Sequence, residues 1–192
     1  AMDRTAARLI NILLGNDEYA AVLEMHFPAA EITFESECIF AVGGVSFTPF
    51  LDGVAIDNWR AYEAQAGSSL KYTDKISGNR SYLAVAGGFT VKEWLGSSST
   101  NLAAKSGGFH GRRLELGDRL AIGDSPNEIS SRPRWISPSM IPRYSRFPTV
   151  RITRGAEYAS LTAEGKDLLA TAKFTITGDS DRMGFRLKGD VI

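Results

Sequence analysis

The residues best suited to chemistry lie between Gly78 and Arg112. Two Gly-Gly pairs, Gly87-Gly88 and Gly107-Gly108, flank the hydroxyl run Ser97-Ser98-Ser99-Thr100. Glycine lets backbone approach a ligand closely, and adjacent hydroxyl and N–H groups can hold an anion or an amide. The same composition also describes two tight β turns joined by a polar loop. Lys105 is either a point charge for a carboxylate or phosphate or a solvated surface lysine. The nucleotide-phosphate pattern G-x-x-x-x-G-K-[ST], set on Ser99 through Ser106, lacks both of its glycines, so that loop is excluded. Of the two histidines, His110, between Phe109 and Gly111, is the candidate working imidazole. His26 alternates with apolar residues and reads as the solvent side of a strand.

Other chemistry-bearing stretches are weaker. From Arg112 to Arg154 there are nine arginines and no lysine against four acids, a local surplus of five, with Trp135, Tyr144 and Phe147 interleaved. Arginine forks suit carboxylates and phosphates, but the rest of the chain carries the compensating negative charge. A proline-rich arm packed on a partner fits better than a nucleic-acid surface. In Ser180-Asp181-Arg182-Met183-Gly184-Phe185-Arg186, alternating charge around a glycine reads as a bulged strand or an exposed turn, with Asp181 and Arg182 placed for a second polar cluster. Cys38 sits in the apolar run Cys38–Val42, where a buried inert thiol is expected. There is no G-x-S-x-G, H-E-x-x-H, C-x-x-C or G-x-G-x-x-G.

The elements that must position these residues are mostly strands. From Asp3 to Leu14 the apolar residues Ala6, Leu9, Ile10, Leu13 and Leu14 follow a period near 3.6. Asp3 caps the start and Gly15-Asn16 supplies a left-handed stop, so a helix is predicted there. The period then changes to two over Ala21–Phe27. Short strands are predicted at 31–35, 38–42, 54–56, 70–72, 81–86, 113–116 and 119–122, and again near 149–153 and 170–177. The stretch 58–66 fits a helical turn or a strand end. Five of the seven prolines fall between Asp124 and Thr149, which excludes regular sheet there.

Global composition narrows the function classes. The 192 residues carry 22 Lys+Arg and 22 Asp+Glu, so the net charge is zero and a dedicated nucleic-acid binder is not expected. One Cys and two His leave no disulfide framework and no zinc or other metal site. No apolar run is long enough for a membrane helix, and the first residues lack a secretory pattern. A cytoplasmic protein without membrane partners is the expectation.

Several stretches then occur in a telling order. They are Arg80–Phe89 (RSYLAVAGGF), Leu95–Thr100 (LGSSST), Gly107–Arg112 (GGFHGR) and Leu116–Leu120 (LGDRL), with Leu14-Gly15-Asn16 before them and Ser180–Gly189 after them. The chain thereby resembles the biotin-dependent carboxyltransferase / allophanate hydrolase subunit 2 family, which includes the 5-oxoprolinase C subunit and KipA-like proteins. That resemblance implies a mainly β fold: a cyclophilin-like β-barrel with an N-terminal helix over residues 1–123, a Pro-rich crossover over 124–148, and the start of a second β domain over 149–192. It also implies further strands after the R-M-G stretch, so the chain reads as truncated relative to the family.

For function, the resemblance implies a subunit of an ATP-dependent 5-oxoprolinase-type amide hydrolase working with a KipI-like subunit 1. ATP would be bound by the assembled complex. The alternatives are biotin-dependent carboxyl transfer to urea or a related amide, and a non-enzymatic antagonist of a histidine-kinase inhibitor. The expected substrate pocket uses Arg80, Ser81 and Tyr82 with Ser97, Ser99 and Thr100. Lys105, His110 and Arg112 would supply charge, and backbone N–H groups at Gly87, Gly88, Gly107 and Gly108 would polarise a carbonyl. No residue stands out as general base. Two positions depart from the family: Ser98 stands where arginine is usual, and His110 replaces a small residue.

Overall fold

The structure is a computed structural model that describes residues 1–45, 47–125, 133–145, 147–180 and 184–189. The chain divides into two compact units, residues 1–146 and 147–192.

The first unit opens with α1 (Arg4–Leu13), where the Asp3 carboxylate accepts the Ala6 N–H at 2.9 Å as the N-cap. Its inward face buries Ala6, Leu9, Ile10 and Leu13. Eight strands follow: β1 (Leu23–Met25), β2 (Ile32–Thr33), β3 (Cys38–Gly44), β4 (Phe47–Leu51), β5 (Val54–Ala55), β6 (Ala61–Ala64), β7 (Ser69–Lys75) and β8 (Ser81–Val85). They form two antiparallel sheets, ordered β1-β8-β3-β6 and β2-β7-β4-β5.

The two central strands explain the core. Successive side chains on a strand face opposite ways. Phe40 and Val42 of β3, with Leu83 and Val85 of β8, therefore point into an apolar layer shared with Leu70 of β7 and partly buried Leu51 of β4. That layer lies between the sheets. Ala41, Tyr82 and Ala84 point to the other face, against Ile10 and Leu13 of α1. Buried on both faces, β3 and β8 read as continuous apolar runs. Trp59 and Ile136 complete the helix-side layer.

In several places the elements depart from the sequence pattern. β1 is shorter than the 21–27 alternation, and 58–66 resolves into the strand β6. β4 escapes the pattern because Pro49 interrupts it; the strand is irregular there, its register against β7 shifting between Phe47 and Pro49. The predicted strand at 113–116 is a turn instead: the Glu115 N–H donates to the Asp118 carboxylate at 2.7 Å, Gly117 is left-handed, and Leu116 is fully exposed. The predicted strand at 119–122 reduces to one bridge, Phe89 to Ile122. Most of the proline-rich stretch belongs to the first unit, where Trp135 bridges Arg60 and the Tyr144 hydroxyl donates to Asp3 at 2.7 Å.

In the second unit, residues 149–153 form no strand, and Val150 and Ile152 are exposed. The predicted strand at 170–177 is the end of α2 (Ala163–Thr171) followed by β9 (Thr175–Ile176), which pairs with β10 (Leu187–Lys188). Thr162 caps α2 by accepting the Gly165 N–H at 3.0 Å. The second polar cluster, Asp181 and Arg182, lies outside the described residues.

Candidate functional site

The glycine-rich region hangs from the end of β8 and is built by close backbone crossings. Asn16, just past α1, donates to the Val85 carbonyl at 2.8 Å and accepts the Gly87 N–H at 2.9 Å, so the helix end and the β8 exit are tied together. Asn11, fully buried on α1, is held in turn by Asn16 and by the Ala20 carbonyl. Beyond Gly88 the chain runs beside residues 121–123, with Thr90 N–H bonded to the Ala121 carbonyl at 2.9 Å.

Two loops then interlock. A Cβ at Gly107 would sit 2.8 Å from the Ser99 carbonyl oxygen, one at Gly108 would overlap Thr100, and one at Gly111 would overlap the Lys105 carbonyl group. These glycines are required by the crossing itself. Beside the crossing, the non-glycine residues Lys105 and His110 also take left-handed backbone, each with a φ of 49°; Leu95, with φ of 53°, does so in the separate two-residue turn between Trp94 and Ser97. A side chain in that conformation is strained, and such strain concentrates where a side chain is needed.

The outcome is a groove of about 560 Å³. Its walls carry Lys92, Lys105, His110 and Arg119, with Trp94, Phe109 and Leu120 supplying apolar surface. Among the described residues no acidic side chain lines it. Arg119 is paired with Glu35 at 3.1 Å, but both are well exposed and the pairing is weak. Lys92 and Arg119 carry no local sequence signal, because they lie 27 positions apart along the chain.

Of the residues singled out from sequence, Lys105, Gly107, Gly108 and His110 line this groove and the others do not. Ser81 and Tyr82 are fully buried in β8. The Tyr82 hydroxyl accepts the Asp3 N–H at 2.8 Å, and burial pushes its pKa up to about 12. Arg80 pairs with Glu24 at 3.3 Å. The Ser97 hydroxyl accepts the Ser99 N–H at 3.2 Å, and the Thr100 hydroxyl accepts the Phe109 N–H at 3.2 Å. These hydroxyls therefore brace turns. Ser99 contributes the carbonyl that Gly107 crosses. Three of the four N–H groups expected to polarise a carbonyl are already paired: Gly87 to Asn16, Gly88 to the Val85 carbonyl, and Gly108 to the Lys92 carbonyl.

Arg112 stands behind the groove wall. Its guanidinium grips Asp118 through two bonds of 2.7 Å and lies over the Phe109 ring at 5.1 Å. Hydrogen bonding from Arg112 holds the Asp118 carboxyl down at about 2. The fork geometry makes this pair stronger than an ordinary surface ion pair. Among the described residues no cluster of His, Cys, Asp and Glu could hold a metal ion, and no helix is long and apolar enough to cross a membrane. Cys38 is half-buried, and desolvation raises its thiol to about 11.

Comparison with known proteins fits this architecture. Residues 1–192 match the family described as carboxyltransferase domain, subdomain A and B. The chain belongs to that family. It is 34% identical to the 5-oxoprolinase C subunit of Escherichia coli, over all of this chain and 60% of that protein. It is 32% identical to urea amidolyase of Saccharomyces cerevisiae, over 98% of this chain and 11% of that protein. The crystal structure of Kluyveromyces lactis urea carboxylase superposes with a TM-score of 0.82 at 27% identity, covering 98% of this chain and 18% of that one. The chain thus spans about 60% of the length of the 5-oxoprolinase relatives it matches.

Proposed function

We propose that this carboxyltransferase-family chain is part of a 5-oxoprolinase-type subunit that binds 5-oxoproline in the Lys105–His110 groove. Hydrolysis of the lactam to glutamate would be coupled to ATP in a complex with a KipI-like companion subunit. The observation that carries this reading is the charge of the groove: four cationic or basic side chains and no acid among the described residues that line it. A cyclic amide bearing a carboxylate matches that lining, whereas urea offers no charge to it. The identity to the E. coli 5-oxoprolinase polypeptide along the whole chain supports the same choice.

In this reading Lys105 and Lys92 take the carboxylate, and Trp94 and Phe109 shield the ring from water. His110, at the wall, is the group placed to donate to or accept from the amide. The groove shows no nucleotide-phosphate loop. The Ser106 and Gly108 N–H groups beside Lys105 are taken by the Asn101 and Lys92 carbonyls, so two of the donors that a phosphate cradle at this loop would use are already spent. ATP is therefore assigned to the assembled complex rather than to this groove.

The second reading is carboxyl transfer to urea or a related amide, for which biotin would be the carrier. It is favoured by the likeness to K. lactis urea carboxylase. Binding separates the two. 5-Oxoproline should bind the chain, while 2-pyrrolidinone, the same lactam without the carboxylate, and urea should bind at least about tenfold more weakly, the difference one charged hydrogen bond makes. Equal binding of the two lactams contradicts the carboxylate assignment, and preferential binding of urea moves the assignment to carboxyl transfer.

A further inference from the structure

Residues 87–125 contain no named strand, only the isolated bridges Phe89–Ile122, Lys92–Gly108, Trp94–Ser97 and Asn101–Ser106. Something other than a sheet must fix the side of the groove that carries His110. The Phe109–Gly111 turn is held at one end by the Gly107–Gly108 crossing and by the Thr100 hydroxyl on the Phe109 N–H. Its other end meets a stack. His110 packs edge-on against Phe109 with centroids 4.6 Å apart, and Phe109 lies under Arg112 at 5.1 Å. Arg112 in turn is gripped by Asp118, which also accepts the Glu115 N–H at 2.7 Å, while the same guanidinium donates to the Arg113 carbonyl at 2.8 Å.

Neither Arg112 nor Asp118 lines the groove. The Asp118 side chain is only 16% exposed, although it lies in a loop. We propose that Arg112 and Asp118 are positioning residues: their bidentate pair clamps Phe109 and so holds His110 at the groove wall, without either residue touching the substrate. This rests on the reading that the groove is the substrate site, but the clamp itself can be tested without substrate.

The chain has two histidines, so a ¹³C-labelled histidine spectrum of the full chain contains one imidazole signal from His110 and one from the distant His26. Two variants break the clamp differently. Asp118→Asn removes the charge, and Arg112→Lys keeps the charge but cannot form the planar two-bond fork. Because an ion pair at a loop adds little to global stability, both variants should keep the far-ultraviolet signature of the fold. The His110 signal should move toward its free-peptide position in both, with His26 unmoved. In the same samples 5-oxoproline affinity should fall about three- to tenfold, the factor by which the competent turn is depopulated.

An unmoved His110 signal in both variants overturns the proposal. So does movement of both histidines in both variants, which would make the pair a support of the whole fold. If His110 moves as expected but 5-oxoproline binds neither wild type nor variants, the clamp stands and the substrate reading fails.

Discussion

Lys105 allows the strain and the charge of the groove to be separated by two substitutions. Its φ of 49° is locked because Gly111 crosses directly against its carbonyl. A non-glycine residue in that conformation costs about 1–2 kcal/mol. Glycine there relieves the strain but loses about 0.5–1 kcal/mol through its greater unfolded-state freedom. Lys105→Gly should therefore be stabilised by about 0.5–1 kcal/mol relative to Lys105→Ala. For a chain of this size that is a rise in Tm of about 1–4 °C. Both variants lose the ammonium, so both should bind 5-oxoproline about tenfold more weakly, the loss expected for one charged hydrogen bond. Thermal unfolding and calorimetric titration of the three proteins measure both effects. If Lys105→Gly is no more stable than Lys105→Ala, the strain argument is wrong. If either variant binds 5-oxoproline like wild type, Lys105 is not in the site.

Other consequences follow from the same geometry. Gly111→Ala places a methyl group on the Lys105 carbonyl at a φ of 65°, and should cost about 2 kcal/mol or more, read as a lowered denaturation midpoint. Asp118 has its carboxyl held below the usual aspartate value, so its contribution is complete above about pH 4 and is lost as pH falls toward about 2. The difference in His110 signal between wild type and Asp118→Asn, a property of the folded chain, should persist down to about pH 3 and vanish only as pH falls through about 2; its disappearance above pH 4 would contradict the clamp. Raised to about 11, Cys38 should react with iodoacetamide at pH 8 about a hundredfold more slowly than an ordinary free thiol, by its smaller thiolate fraction.

The fold was legible where a single period dominated. The Ala6–Leu13 face of α1, its Asp3 cap, and the apolar runs of β3 and β8 are plain in the residues, because each strand's alternate side chains enter a different apolar layer. β4 was hidden by Pro49. α2 gave no periodicity because among its described residues only Gly165 is buried, leaving nothing apolar to repeat. The turn at 113–116 looked like a strand because Leu114 and Leu116 alternate, although both face outward without a partner strand.

At the site, the glycine pairs correctly marked tight backbone, but the crossings they permit are with each other and with their own hydroxyl loop. Sequence proximity placed Ser81, Tyr82 and Arg112 with the groove residues. β8 is covered on both faces, so Ser81 and Tyr82 are buried on opposite sides of it, and the Asp118 fork holds Arg112 behind the groove wall. Lys92 and Arg119 reach the groove from opposite ends of the loop region, a juxtaposition created only by the pairing of 88–90 with 121–123. The departure at position 110 gains a meaning from the structure, since the imidazole there is held in strained backbone at the wall.

The central claim, that this groove serves 5-oxoproline cleavage, is tested most directly by turnover. The full-length protein would be assembled with its companion subunits, ATP and 5-oxoproline, and ADP and glutamate followed together for wild type and Lys105→Ala. The account predicts glutamate formation matched by ADP, dependent on this polypeptide, with a raised KM in the variant. Glutamate formation that proceeds without this polypeptide, or at an unchanged KM in the variant, contradicts it.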